Sequence, residues 1–191
     1  MDMQGSRVLN ATQEQTWQAL NDPDILKACI PGCDKFELAE PNVYAVVVAL
    51  KIGPVAAKFT GKVSLMDIVP PNSYALQFEA QGGIAGFGKG ESKVALQPVE
   101  GGVELSYTVH SQVGGKIAQL GQRLIDGVAK TLAEDFFTRF EEQLIARHGA
   151  SNAQEASSSS QDNAEASGST PTWIWAFALV IAASAVWFIS K

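Results

Sequence analysis

The sequence predicts an α+β domain, a curved antiparallel β-sheet around one long C-terminal helix, followed by a flexible linker and a C-terminal transmembrane helix. Three observations predict this. Apolar residues recur at period two from Phe36 to Val113, with turn residues between the runs. From Lys116 to His148 the period becomes helical and no proline intervenes. From Pro171 to Ser190 there is no charged residue, and a helix of that length is roughly 30 Å long, the thickness of a bilayer hydrocarbon core.

The elements follow in order. Met3 to Leu9 forms a first short strand. Asn10 or Thr12 can cap a helix through Trp17 and Leu20, and Thr12 with Gln15 has capping-box spacing. Asp22-Pro23 is a fresh N-cap with proline at the first helical position, opening a short helix that carries Ile25 and Leu26 and stops at Pro31-Gly32. In the strands beyond, Phe59, Val63 and Leu65 alternate with Thr60, Lys62 and Ser64. Tyr74, Leu76 and Phe78 alternate with Ala75, Gln77 and Glu79, and Val103, Leu105, Tyr107 and Val109 with Glu104, Ser106, Thr108 and His110. Pro41-Asn42, Gly53-Pro54, Pro70-Pro71-Asn72 and Gly101-Gly102 fall between runs as turns, so the strands pair antiparallel. Val43 to Leu50 is almost continuously apolar, which predicts a strand covered on both faces.

In the last helix, Ile117, Leu120, Leu124 and Val128 share one direction. Ala129, Leu132, Ala133, Phe136, Phe140 and Leu144 point roughly 100° further round. A helix lying in the groove of a twisted sheet needs two such stripes, with Gly121 and Gly127 allowing a bend and Asp135 pairing with Arg139. The order β-α-α-β(×6)-α is the helix-grip arrangement, which encloses an apolar cavity between sheet and helix. Phe59, Phe78 and Tyr107 on the inward strand positions, and Leu120, Leu124 and Val128 on the early helix face, are expected to line it. Phe87 on the glycine-rich loop is expected at its mouth.

The chain therefore divides into a helix-grip domain (1–148), a Ser/Ala-rich linker (149–171) and a transmembrane helix (172–190). Trp173 and Trp175 at one end of the span and Trp187 at the other are the expected interfacial anchors. Met1 to Arg7 contains no apolar run of signal-peptide length. The expectation is a single-pass tail anchor in the cytoplasmic membrane with the globular domain on the cytoplasmic side.

A net charge of −6 argues against a nucleic-acid partner, which needs a basic face. Two cysteines and two histidines leave little for a disulfide scaffold or a zinc site. Cys29-Ile30-Pro31-Gly32-Cys33 reads as free thiols around a turn. Gly82 to Gly90 is no phosphate loop, because Lys89 precedes Gly90 and the flanks are strands. It reads as a hairpin connection or, through Ile84 and Phe87, a cavity rim. No residue is assigned to catalysis or to a metal.

Three segments resemble a known family. Asp22-Pro23-Asp24-Ile25-Leu26 running into Ile30-Pro31-Gly32-Cys33 is the first. Gly115-Lys116-Ile117-Ala118-Gln119-Leu120-Gly121-Gln122-Arg123-Leu124-Ile125 and Leu132-Ala133-Glu134-Asp135-Phe136-Phe137 are the others. Together they resemble the CoxG family of carbon monoxide dehydrogenase accessory proteins, within the START-like (SRPBCC) helix-grip superfamily, over about residues 1–147. The resemblance implies a non-catalytic accessory protein that recruits a cytoplasmic molybdenum hydroxylase of the carbon monoxide dehydrogenase type to the membrane. It implies no covalent cofactor, but a cavity able to hold a respiratory quinone, menaquinone or ubiquinone. Two other readings stay open: a tether whose cavity is filled by side chains, and a helix-grip enzyme or ligand-binding protein unrelated to carbon monoxide dehydrogenase.

Overall fold

The computed structural model describes residues 1–158. The expected span, with Trp173, Trp175 and Trp187, lies outside them, and among the described residues no helix is long and apolar enough to cross a membrane. Strand β1 (Asp2–Leu9) leads into α1 (Gln13–Leu20) and α2 (Pro23–Cys29). Six strands follow: β2 (Cys33–Glu40), β3 (Val43–Ile52), β4 (Val55–Val69), β5 (Ser73–Gln81), β6 (Phe87–Val99) and β7 (Gly102–Gly114). They form one antiparallel sheet in the order β1-β7-β6-β5-β4-β3-β2. Helix α3 (Gln122–Ser158) ends the described chain, running on into the stretch expected as linker.

Local chemistry accounts for the first elements. The Thr12 hydroxyl accepts from the Gln15 backbone N–H while the Thr12 N–H donates to the Gln15 side chain, a closed capping box. Asp22 accepts from Asp24 and Ile25 ahead of Pro23. Leu9, Leu20, Ile25, Leu96, Leu105 and Phe140 then meet in a core between α1, α2, the sheet and the distal part of α3. A smaller cluster of Ile52, Phe59, Ala85 and Ile117 fills the other end.

Three expectations need correction. The last helix does not begin at Lys116. Ala118–Leu120 make a 3-10 turn, and Gly121, at φ 89°, turns the chain before α3 starts. A left-handed residue cannot continue a right-handed helix, so Gly121 separates two elements rather than bending one. Nor is β3 covered on both faces. Val43, Ala45 and Val47 on its outer side are only half-buried and Ala49 is exposed. Cross-strand neighbours on this face include Glu37, Lys35 and Lys62, charged side chains that belong at a solvent-facing surface and not under a second layer. The Asp135–Arg139 pair also does not form. Among the described residues α3 spends its ion pairs on other elements, with Arg7 to Glu134 (3.1 Å) and Glu141 (2.7 Å), and Arg147 to Asp22 (2.8 Å).

Candidate functional site

Strand alternation sets which residues can form a cavity. Phe59, Gly61 and Val63 on β4, Leu76 and Phe78 on β5, and Gly88 and Gly90 on β6 share the inward parity. Glycine at three of these positions leaves the sheet hollow where side chains would otherwise fill it. Aromatic rings use the space: the Tyr107 hydroxyl would lie 2.7 Å from a Cβ on Gly5, and the Phe78 ring 2.8 Å from one on Gly90.

Two neighbouring apolar cavities result, between the sheet, α2 and α3. The smaller, about 330 Å³, lies under Leu20, Leu26, Tyr74, Tyr107 and Phe137. The larger, about 520 Å³, lies under Val48, Ile52, Phe59, Ile117, Ala129 and Leu132. Ile30, Val63, Phe78, Ala133 and Phe136 border both. The hydroxyls are unequally divided. Tyr44, Tyr74, Ser92 and Tyr107 all border the smaller cavity, whereas the larger has no hydroxyl in its lining. Burial pushes the Tyr74 phenol well above its usual range and raises Tyr107 too, so both are neutral donors at physiological pH.

The expected lining residues fall into two groups. Phe59 borders the larger cavity, Tyr107 the smaller, and Phe78 both. Leu120, Leu124, Val128 and Phe87 border neither. Leu120 and Val128 pack on the Ile52–Ile117 cluster. Leu124 is 40% exposed beside Gly53. Phe87 lies across Gly114 on the outer face, because Gly88 and Gly90 hold the inward positions of its strand. The helix contributes its second stripe, Ala129, Leu132, Ala133 and Phe136, since the residues of the first stripe before Gln122 are not on α3 at all.

A third depression of about 580 Å³ lies on the outer face, where the side chains are polar and cross-paired. Lys62 meets Glu79 at 3.2 Å, and His110 Nδ1 meets Asp2 at 2.6 Å. The His110 contact holds the Asp2 carboxyl below its ordinary value. Both cysteines are free. Burial pushes the Cys29 thiol up to about 11 and raises Cys33, so neither is a ready thiolate. Among the described residues no group of three His, Cys, Asp or Glu is placed to hold a metal ion.

Comparison with known proteins fits this geometry. The model of the CoxG family, named for a subunit of carbon monoxide dehydrogenase, matches residues 5–145. A crystal structure of a conserved protein from Geobacillus kaustophilus is 36% identical, with a TM-score of 0.73 over 76% of this chain and 96% of that one. A Rhodobacter sphaeroides protein is 21% identical (TM-score 0.57, covering 76% of this chain and 92% of that). One from Thermus thermophilus is 14% identical (TM-score 0.59, covering 77% and 99%). These last two share the fold. No curated protein matches the chain.

Proposed function

Because the chain belongs to the CoxG family of carbon monoxide dehydrogenase, a family of accessory proteins, we propose that it serves a cytoplasmic molybdenum hydroxylase of the carbon monoxide dehydrogenase type without catalysing the reaction itself. It holds a quinone-like ligand, menaquinone or ubiquinone, which links the hydroxylase to the respiratory chain. Residues 172–190 anchor it in the cytoplasmic membrane, with the domain on the cytoplasmic side.

The observation that carries the ligand reading is the division of the cavity. A prenylated quinone has a ring with two carbonyl acceptors and a long hydrocarbon tail. The compartment bordered by Tyr44, Tyr74, Ser92 and Tyr107 offers donors for carbonyl oxygens, and the larger compartment has no hydroxyl in its lining. A tail gains about 0.8 kcal/mol for each CH₂ it buries there. Cavities of roughly 300–1,000 Å³ are the usual size for such ligands.

The test is mass spectrometry of a solvent extract from the purified full chain. An isoprenoid quinone is expected in the wild type. Ala133 borders both compartments, so Ala133→Phe removes the ligand, while Leu124→Trp, at a position bordering neither, keeps it. All three proteins stay in the membrane pellet through a high-salt wash. A wild type without quinone overturns the ligand reading, and an Ala133→Phe variant that retains it shows that the quinone is not held in these compartments.

A further inference from the structure

We propose that one end of the domain is a membrane-contacting tip, which places Ile84 among anionic lipids and orients the molecule on the bilayer surface. Antiparallel alternation gathers three connections at this end: the β3–β4 turn, the glycine-rich β5–β6 loop and the β7–α3 segment. They are joined to one another. The Ile117 N–H donates to the Ala85 carbonyl at 3.0 Å, and Leu124 Cδ2 lies 3.0 Å from where a Cβ on Gly53 would sit. Ala85 is 4% exposed and built into the Ile52–Ile117 cluster. Its neighbour Ile84 is 87% exposed on the same short 3-10 turn, with Leu124 (40%) and Phe87 (39%) as further exposed apolar residues. A side chain held out on an anchored turn is presented to a partner, not left by a loose loop.

Charge identifies the partner. In the whole chain acids outnumber bases by 20 to 14. Yet residues 50–58, 80–90 and 112–125, which build this end, contain Lys51, Lys58, Lys89, Lys116 and Arg123 and no Asp or Glu. All five cations are exposed, and the Asp34 that pairs with Lys58 lies on β2. The turns at the opposite end, residues 38–44, 66–74 and 97–104, reverse the pattern. They carry Glu40, Asp67, Glu100 and Glu104 and no Lys or Arg. An acidic protein with five exposed cations in the acid-free segments around an apolar apex turns that apex toward a negative surface and its acidic end away. Apolar residues ringed by cations suit the headgroup boundary of an anionic bilayer, where the cations meet phosphates and the apex reaches the acyl region.

The inference stands on exposure and charge, and holds whatever the cavity contains. It is tested on the full chain bound to vesicles, in a Cys33→Ser background; Cys29 is fully buried and out of reach of the label. An environment-sensitive fluorophore is attached after Ile84→Cys or, at the far end, Glu100→Cys. Vesicles are phosphatidylcholine alone or mixed with phosphatidylglycerol, each with nitroxide-bearing lipid as quencher. The position-84 probe is expected to shift to the blue and be quenched in the anionic vesicles, and much less in the neutral ones. The position-100 probe stays aqueous in both. Lys116→Glu with Arg123→Glu lowers the position-84 response to its neutral-vesicle level without moving the unfolding midpoint, because both side chains are exposed. The proposal is overturned if position 84 stays aqueous in anionic vesicles, or if both positions are quenched alike. Shielding of position 84 only after a partner protein is added overturns it too, and makes the tip a protein-docking face.

Discussion

A methyl group on Gly90 would overlap the His110 carbonyl oxygen and approach the Phe78 ring to 2.8 Å. Backbone cannot yield as a flexible side chain does, so Gly90→Ala is expected to destabilise by about 1–3 kcal/mol through overpacking. A thermal unfolding midpoint equal to that of the wild type would count against the close approach of β6 to β7. This residue also marks the limit of reading cavities from sequence. The inward parity of Phe59, Phe78 and Tyr107 is legible in their own strands, because alternation is a local property. The glycines that make room for the rings are not, since Gly90 faces Phe78 only through the β5–β6 register. Glycine at two alternate positions, 88 and 90, at the start of β6 is the available signal, and it reads equally well as flexibility until the partner strand is known.

Among the elements, α3 departs furthest from expectation. Periodicity separates two apolar stripes and expects the first, through Leu120, Leu124 and Val128, to line the cavity, but Ile117 and Leu120 precede α3. The start of the helix decides the matter, and the φ of 89° at Gly121 reveals it; the glycine is visible in the sequence, but it reads equally well as a bend within one helix until its φ is known. Once α3 begins at Gln122, the second stripe faces the hollow sheet. Gly127 then has no role in close packing, because a Cβ built there meets nothing within 4 Å. Gly127→Ala is accordingly expected to stabilise the domain by up to about 1 kcal/mol of helix propensity, raising the midpoint of denaturant unfolding. A loss of stability would show that the helix needs glycine there for a bend.

At the scale of the molecule, α3 is fastened unequally along its length. Arg7 on β1 reaches Glu134 and Glu141, and Arg147 reaches the Asp22 that caps α2. The Arg147 guanidinium holds the Asp22 carboxyl below its ordinary value. A carboxyl whose pKa is lower folded than unfolded contributes stability above the ordinary aspartate range and loses it as pH falls through the folded value. Asp22→Asn keeps an N-cap but not the charge. Its stability is therefore expected to depend less on pH below about pH 4 than that of the wild type, as followed by circular dichroism during acid titration. These fastenings, with Phe137, Phe140 and Leu144, all lie in the part of α3 beyond Ala133. The opening turns carry the exposed Leu124 and Gly127, and their packing is on the small Ile52–Ile117 cluster. Local opening is cheapest where buried contacts are few, so amide protection along the helix should rise steeply after Ala133. On the proposed reading, a molecule enclosed beneath α3 would leave by fraying of those first turns and not by global unfolding. Its residence time would be altered at Val128, which packs on that cluster, with little change in the melting behaviour of the domain.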